Sequence, residues 1–374
     1  MAQVTLTPSR GEDQVCTLEM VQRAIQMGTK KNNQTDISVD LTHKQLTCVP
    51  KPNMPNDRVK FVYLNHNDIH GTIDLNPLIR AWFRIHSLQI TWNKIDSIKE
   101  MVPILPSPMY NTIACRTSFI RELHLTMNRL TTLPEGMPIS LEKINVSNNH
   151  IDRLPLSFSK LSNLTHLWID RNNLHVSKCN TIVTLMHSKL KVLSLSGNPL
   201  FGIPLPHSGT PNLNIEELYL DNCRIDYIPD SLYNCCRNIK ILSMSRNGLN
   251  TVGHCISKLK HLHTLNTSYC PKLRYIAPSL GKLDCLRRLN VEFCTAMLKF
   301  PSLNNIMNIR FIGLKGTPIK NLPIKWGENQ RLRVSFREST AMLSHLYKIF
   351  KSLNHGSPTF RICVCNYVCD YIEL

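Results

Sequence analysis

Short alternations of apolar and polar residues recur along most of the chain. The segment LHLTMNRLTTLP, beginning at Leu123, has apolar residues at positions 1, 3, 8 and 11, Asn at position 6 and Pro at position 12. The same frame returns as INVSNNHIDRLP from Ile144, LSLSGNPLFGIP from Leu193 and LYLDNCRIDYIP from Leu218. Alternation at positions 1 and 3 predicts a short strand with one buried side. The apolar residues at positions 8 and 11 would then fill the core from the returning segment.

Less regular copies bring the total to twelve, and they begin at Val39, Val62, Leu88, Leu167, Leu242, Leu265, Leu289 and Ile312. The starts are mostly 21 to 26 residues apart, with one longer step of 35 between Leu88 and Leu123. This frame resembles the leucine-rich repeat family over about residues 39–323. The resemblance implies an α/β solenoid of about twelve repeats. Parallel strands would line its curved concave face, and helical, 3-10 or irregular segments its convex side.

Position 6 is expected to be structural. A buried Asn amide has both donors and acceptors, so it can bond the backbone where the chain turns off the strand. Asn fills this position at Asn67, Asn93, Asn128, Asn149, Asn172, Asn198 and Asn247. Cys fills it at Cys223, Cys270 and Cys294, a replacement that the repeat consensus permits.

Three segments follow from the repeat: an N-terminal segment 1–38, the repeats 39–325 and a C-terminal segment 326–374. Repeats bury their apolar faces only against neighbours, so both ends need caps. TLEMVQRAIQMGTKK predicts an amphipathic capping helix upstream, and STAMLSHLYKIFKSL predicts one downstream. In the long step, prolines at 103, 106 and 108 exclude a continuous helix, so a protruding loop is expected there.

Positions 2, 4, 5 and 7 are predicted to point from the strands into solvent, without a role in packing. Several hold aromatic rings or arginine, which are enriched at binding hot spots. We therefore predict one contiguous protein-binding patch on the concave face. Its residues are Tyr63, His66, Trp92, His124, Met127, Trp168, Asp170, Arg171, Tyr219, Asp221, Arg246, Tyr269, Glu292 and Phe293.

No enzymatic motif is found in the sequence, so catalytic residues and cofactors are not expected. The tail RICVCNYVCDYIEL offers Cys363, Cys365 and Cys369 as candidate metal ligands. Their C-x-C-x3-C spacing lacks the second cysteine pair of common zinc sites, and the alternation of Ile362 and Val364 also fits a plain strand. The run resembles part of the cysteine-rich tail that follows the repeats in substrate receptors of cullin-type ubiquitin ligases.

Composition bears on compartment and partners. The N-terminus shows no basic start followed by an apolar run, and 14 cysteines suit a reducing compartment, so a cytoplasmic or nuclear location is predicted. No stretch is apolar enough for a membrane span. The net charge of +18 is spread along the chain, which argues against nucleic-acid binding.

The short, Pro-ended repeats resemble those of intracellular signalling scaffolds. The first hypothesis is therefore a monomeric, non-catalytic scaffold that binds a protein of unknown identity. The alternatives are a ubiquitin-ligase substrate receptor and an extracellular receptor-type fragment.

Overall fold

The structure is a computed structural model of the 374-residue chain. It describes residues 36–52, 56–101, 119–206, 213–301, 303, 308–319 and 332–336, Met20 and Arg23, and the backbone of 361–366 and 368–373. The chain forms two compact units, Met1–Leu164 and Thr165–Leu374. In the part of the chain that is described, no helix is long and apolar enough to cross a membrane.

Unit one, Met1–Leu164, is built on a parallel sheet of short strands. In chain order it contains β1 (Ile37–Asp40), β2 (Val59–Tyr63), β3 (His70–Ile73), a helix (Asn76–Ala81), β4 (Ser87–Gln89), β5 (Lys94–Ile98), β6 (Glu122–His124), β7 (Lys143–Asn145) and a 3-10 helix (Leu156–Lys160). The sheet order is β1-β2-β4-β6-β7, while β3 and β5 pair separately. Position-1 residues stand side by side, as in Leu88 opposite Leu123 and Leu123 opposite Ile144.

Unit two, Thr165–Leu374, repeats the arrangement. Its strands are β8 (His166–Trp168), β9 (Val192–Ser194), β10 (Glu217–Tyr219), β11 (Ile241–Ser243), β12 (Thr251–Val252), β13 (Thr264–Asn266), β14 (Tyr275–Ile276), β15 (Arg288–Asn290), β16 (Phe311–Gly313), β17 (Arg333–Phe336), β18 (Arg361–Asn366) and β19 (Val368–Glu373). β12 and β14 pair with each other, and the remaining strands form one sheet in chain order. The segments between its strands contain the helices Asn180–Met186 and Asp230–Cys235 and the 3-10 helices Val176–Lys178, His254–Lys258 and Pro278–Lys282.

The predicted repeat frame is confirmed. Position-1 residues such as Leu123 and Leu242 have no exposed surface, and position-3 residues such as Leu125 are equally buried. The return segments contribute large core side chains, including Phe158 and Tyr233. Each repeat therefore buries one apolar strip against the next, which is how a repeat array assembles a core.

The structural role of position 6 is also confirmed. Asn93 Nδ2 donates to the carbonyl of Leu64 at 3.0 Å, and its Oδ1 accepts from the N–H of Ile69 at 3.0 Å. Cys223 occupies the same place, with its Sγ 3.3 Å from the carbonyl of Leu195 in the preceding repeat. Burial raises the pKa of the Cys223 thiol to about 12, as expected for a structural cysteine.

Several predictions concern segments that are only partly described. Met20 and Arg23 are helical within the predicted N-terminal cap, but the rest of that cap, the helix predicted at 339–353 and most of the loop after Ile98 lie outside the described residues. The strand β17 lies beyond residue 325 and pairs in parallel with β16. The boundaries at 38 and 325 stay predictions.

The cysteine-containing tail forms two strands where a single strand was predicted. β18 pairs in parallel with β17 and antiparallel with β19, so the backbones of Cys365 and Cys369 stand opposite each other. The side chains of this tail, including the candidate ligand Cys363, lie outside the described residues.

Candidate protein-binding face

The residue at position 5 of every repeat has a left-handed backbone. Its φ is positive, between +49° and +75°, at His43, His66, Trp92, Met127, Asn148, Arg171, Gly197, Asn222, Arg246, Tyr269, Phe293 and Gly316. This conformation costs non-glycine residues roughly 1–2 kcal/mol, and glycine escapes the penalty. The chain nevertheless places aromatic rings and arginine at most of these positions. The same turn thus presents a large side chain in most of the repeats.

In unit one, three position-5 rings form a stacked row. The ring centroids of His43 and His66 are 4.6 Å apart, and those of His66 and Trp92 are 5.4 Å apart, each pair with an interplanar angle of 16°. Trp92 keeps 52% of its surface exposed. The row therefore presents a flat, pre-ordered aromatic surface to solvent.

The other predicted residues of unit one lie beside this row. His124 is at position 2, where its Nε2 is 3.9 Å from the Glu122 carboxylate, and burial lowers the pKa of this histidine despite that carboxylate. Burial also raises the pKa of the half-buried Tyr63, with smaller contributions from Asp40 and Glu122. Tyr63 and His124 are therefore neutral polar groups near neutral pH.

Unit two contains a second row, formed by the position-5 residues Arg246, Tyr269 and Phe293 of three consecutive repeats. The guanidinium of Arg246 lies 4.8 Å from the centroid of the Tyr269 ring. Tyr269 in turn stacks on Phe293 at 4.5 Å, with an interplanar angle of 15°. Tyr269 is 42% exposed. Next to Phe293 stands Gly316, where an added Cβ would lie 2.5 Å from the Phe293 ring, so a side chain at this place would collide with the row.

Trp168 and Arg171 begin unit two. The Trp168 ring is half-buried and lies 5.3 Å from the His166 ring in a tilted arrangement. Arg171 is exposed, and a Cβ added at Gly197 would lie 2.9 Å from its Cγ, so the glycine leaves room for the arginine side chain. The predicted patch joins residues of two units, and its continuity from Met127 to Trp168 stays a prediction.

The carboxylates at position 4 are not free of structural duties, contrary to the prediction for that position. Asp221 accepts from the Ser243 hydroxyl at 2.7 Å and from the Ser245 N–H at 2.6 Å. Asp170 accepts in the same way from Ser194 and Ser196, and Glu292 accepts from the hydroxyl of Ser335. Asp170 and Asp221 therefore reach the next strand of the sheet, and Glu292 reaches β17, two strands away, so these residues link repeats.

Tyr219 is also held by a hydrogen bond within the protein. Its hydroxyl donates to Glu217 at 2.8 Å, and burial together with this carboxylate raises the pKa of Tyr219 to about 12.

Sequence reasoning missed the residue that precedes position 1. This place holds Phe61, which is 37% exposed, and Arg288, whose guanidinium lies 4.6 Å from the centroid of the Phe311 ring. The three-residue strands begin at this residue, so its side chain shares a face with position 2. Counting two residues back from each position 2 would have found it.

No group of three or more His, Cys, Asp or Glu side chains could hold a metal ion within the described part of the chain. His43 and His66 stack on each other, while His124 lies in a different row. The described cysteines are unpaired thiols, most of them buried. The metal prediction for the tail concerns side chains that the structure does not describe.

Comparisons with known proteins agree with the fold. The family described as Leucine Rich Repeat matches residues 140–161, 189–210 and 214–235. A leucine-rich repeat protein from Leptospira interrogans is 19% identical with a TM-score of 0.53, over 85% of this chain and 81% of that one. A chain of the octameric complex of Latrophilin 3, Unc5D and FLRT2 is 18% identical with a TM-score of 0.52, over 79% of both chains. These structures show the fold alone.

Curated relatives of the chain include keratocan, lumican and podocan. Keratocan from Coturnix japonica is 28% identical over 56% of this chain and 54% of its own length. Lumican from Rattus norvegicus is 28% identical over 56% and 55%. Podocan from Mus musculus is 27% identical over 61% and 35%. The chain thus spans about half the length, or less, of the curated relatives it matches.

These relatives overturn the predicted location. Keratocan, lumican, podocan and osteomodulin are secreted extracellular-matrix proteins, so the prediction of a cytoplasmic or nuclear protein is wrong. That prediction rested on the absence of an apolar leader and on the number of cysteines. What the frame, the parallel strands and the matches do establish together is a leucine-rich repeat solenoid fold.

Proposed function

We propose that the chain is a non-catalytic binding protein that acts outside the cell and holds a protein partner on its strand face. Keratocan, lumican and podocan are non-enzymatic structural and binding proteins, which favours the extracellular alternative over an intracellular scaffold or a ubiquitin-ligase receptor.

The observation that carries this proposal is the stacked row His43–His66–Trp92. Leaving a tryptophan 52% exposed forgoes the free energy of burying it, and its left-handed backbone adds a further cost. Aromatic side chains held rigidly on one face are typical of binding hot spots, since little side-chain entropy is lost on contact. The Arg246–Tyr269–Phe293 row gives unit two a comparable surface.

The test is a paired truncation of the row. His66→Ala with Trp92→Ala removes two of its rings, and Ile139→Ala with Leu156→Ala is the matched control. The control residues are large hydrophobics of unit one, 58% and 78% exposed, outside the predicted patch. Immobilised wild type and both variants would be incubated with a solubilised extracellular-matrix extract, and the retained proteins would be identified and titrated.

The row variant should bind the retained partner at least about 30-fold more weakly, because truncating a hot-spot aromatic costs about 2 kcal/mol or more. The control should bind like wild type. Both variants should unfold within about 0.5 kcal/mol of wild type, since the altered side chains are at the surface. Equal binding by wild type and the row variant would contradict the proposal.

A further inference from the structure

A second surface follows the edge of the sheet where the strands of unit two begin. One residue per repeat stands directly before the strand, and its N–H donates to the carbonyl of the corresponding residue in the preceding repeat at 2.6–2.8 Å. We call this row the basic edge; its members are Lys191, Glu216, Lys240, His263, Arg287 and Arg310. Adjacent strands are spaced by about 4.8 Å, so the row extends over roughly 24 Å.

Further cations flank the row. Arg288 and Arg333 stand one residue later, at the first position of β15 and β17, and both are exposed. Lys191, Lys240 and Arg310 are exposed too. The repeat period thus gathers on one edge a charge that is dispersed in the sequence, and neighbouring cations raise the local concentration of anions.

A groove lies at one end of the basic edge. It has a volume of about 510 Å³ and is lined by Lys189, Lys191 and Lys240, with the amides of Asn214 and Asn238 between them. Ammonium groups pair with anionic groups, and carboxamides both donate to and accept from hydroxyls. This combination suits a ligand that alternates anions with hydroxyl groups.

Glu216 holds two of the lysines in place. Its carboxylate is 2.6 Å from Lys240 Nζ and 3.4 Å from Lys191 Nζ. The hydrogen bond from Lys240 keeps the pKa of Glu216 below its ordinary value, so the carboxylate stays charged at neutral pH. One negative charge between two lysines leaves a net positive charge and orders both ammonium groups, which remain about half exposed.

We propose that the basic edge binds a linear sulfated polysaccharide. A polymer of sulfated sugars supplies the closely spaced anions that this row of cations would neutralise and the hydroxyls that the groove amides would bond. Proteins that bind single-stranded nucleic acid pair a basic groove with bare aromatic platforms. Along the described part of this edge the ring of Phe311 is covered by Arg288, which favours the sugar polymer. This surface lies at the opposite end of the strands from position 5, so the inference does not rest on the proposed partner face.

The test measures binding of the full chain to a size-defined heparin oligosaccharide by calorimetry at several salt concentrations. The edge variant carries Lys191→Ala, Lys240→Ala and Arg310→Ala. At about 0.15 M salt its dissociation constant should rise at least about tenfold, and the slope of log K against log salt should become shallower by about 2, because fewer counterions are displaced. A charge-preserving variant, Lys191→Arg with Lys240→Arg, should bind like wild type.

The matched control carries Lys272→Ala, Lys282→Ala and Lys299→Ala, three exposed lysines elsewhere in unit two. Both triple variants lower the formal net charge of +18 by three, so only position distinguishes them. Thermal unfolding of each variant separates lost binding from lost folding.

Selective loss in the edge variant supports the proposal. Equally weakened heparin binding in both triple variants would show that binding depends on diffuse charge, and this result would overturn the proposal. Equal affinity for desulfated heparin would overturn it as well. Equally tight binding of single-stranded DNA of matched charge through the same three residues would also overturn the proposal, because the surface would then be a nucleic-acid site.

Discussion

Replacing Asn247 with alanine would remove a buried amide that joins two repeats. Asn247 is 3% exposed. Its Nδ2 donates to the carbonyls of Leu220 at 2.8 Å and Met244 at 2.9 Å. Its Oδ1 accepts from the N–H groups of Cys223 and Ile225, each at 3.0 Å. The side chain therefore replaces water for these four backbone groups, three of them in the turn after β10 and one directly after β11.

The magnitude follows from those four groups. A buried donor that loses its acceptor costs about 1–3 kcal/mol, while a carbonyl with a second lone pair costs less. Counting mainly the two N–H groups, we expect Asn247→Ala to lower the free energy of unfolding by about 3–5 kcal/mol. Urea unfolding of the full chain, followed by circular dichroism, measures this loss by linear extrapolation.

Asn247→Cys is the informative control, because the chain itself uses cysteine at this place. The Cys223 Sγ lies 3.3 Å from the Leu195 carbonyl, so a thiol can serve as a weak donor to the preceding repeat. The cysteine variant should lose about half as much stability as the alanine variant. A loss below about 1 kcal/mol for Asn247→Ala, or equal losses for both variants, would refute the structural role of position 6.

Two further predictions concern stability. Gly316→Ala should lower the free energy of unfolding in urea by about 1–3 kcal/mol, because the φ of Gly316 is +72° and an added Cβ would lie 2.5 Å from the Phe293 ring. In Gly253→Ala the added Cβ meets nothing within 4 Å, so this variant should stay within about 0.5 kcal/mol of wild type. Equal losses in the two variants would contradict the geometry. The hydrogen bond from Lys143 holds the pKa of Glu122 below its ordinary 4.5, so the stability this carboxyl adds is present above that value and is lost as the pH falls through the lower folded value. Glu122→Gln should therefore lower the free energy of unfolding by less than about 1 kcal/mol at pH 7, and this loss should shrink as the pH falls through the lowered folded pKa, whereas a pH-independent difference would rule out the ion pair as its cause.

The repeat frame was readable from the sequence because burial imposes it directly. Positions 1 and 3 must be apolar, and a buried turn needs an amide or a thiol, so the place of Asn93 and Cys223 in the frame was enough to assign their role. The order of the strands followed from the period. These features depend on local pattern and on contact with the next copy of the same pattern.

The left-handed backbone at position 5 could not be read in this way. Such a conformation is usually signalled by glycine or asparagine, yet Trp92 and Tyr269 adopt it because the turn between strand and return segment imposes it. Likewise, Asp170 has the sequence context of a surface charge, and only the register of neighbouring strands shows that it bonds the next repeat. The basic edge was hidden because its members are more than twenty residues apart in sequence.

The twelve position-5 residues, here called the left-handed column, also set rules for altering the proposed binding face. Across its twelve positions the column contains no valine, isoleucine or threonine, the residues that tolerate positive φ least. A combinatorial library could therefore vary the ten non-glycine positions with unbranched, aromatic and small residues and omit the β-branched ones, leaving Gly197 and Gly316 unchanged. Each repeat contacts only its neighbours, so a change at one position would perturb at most the two side chains stacked beside it. Recognition could then be altered one repeat at a time while the core stays intact.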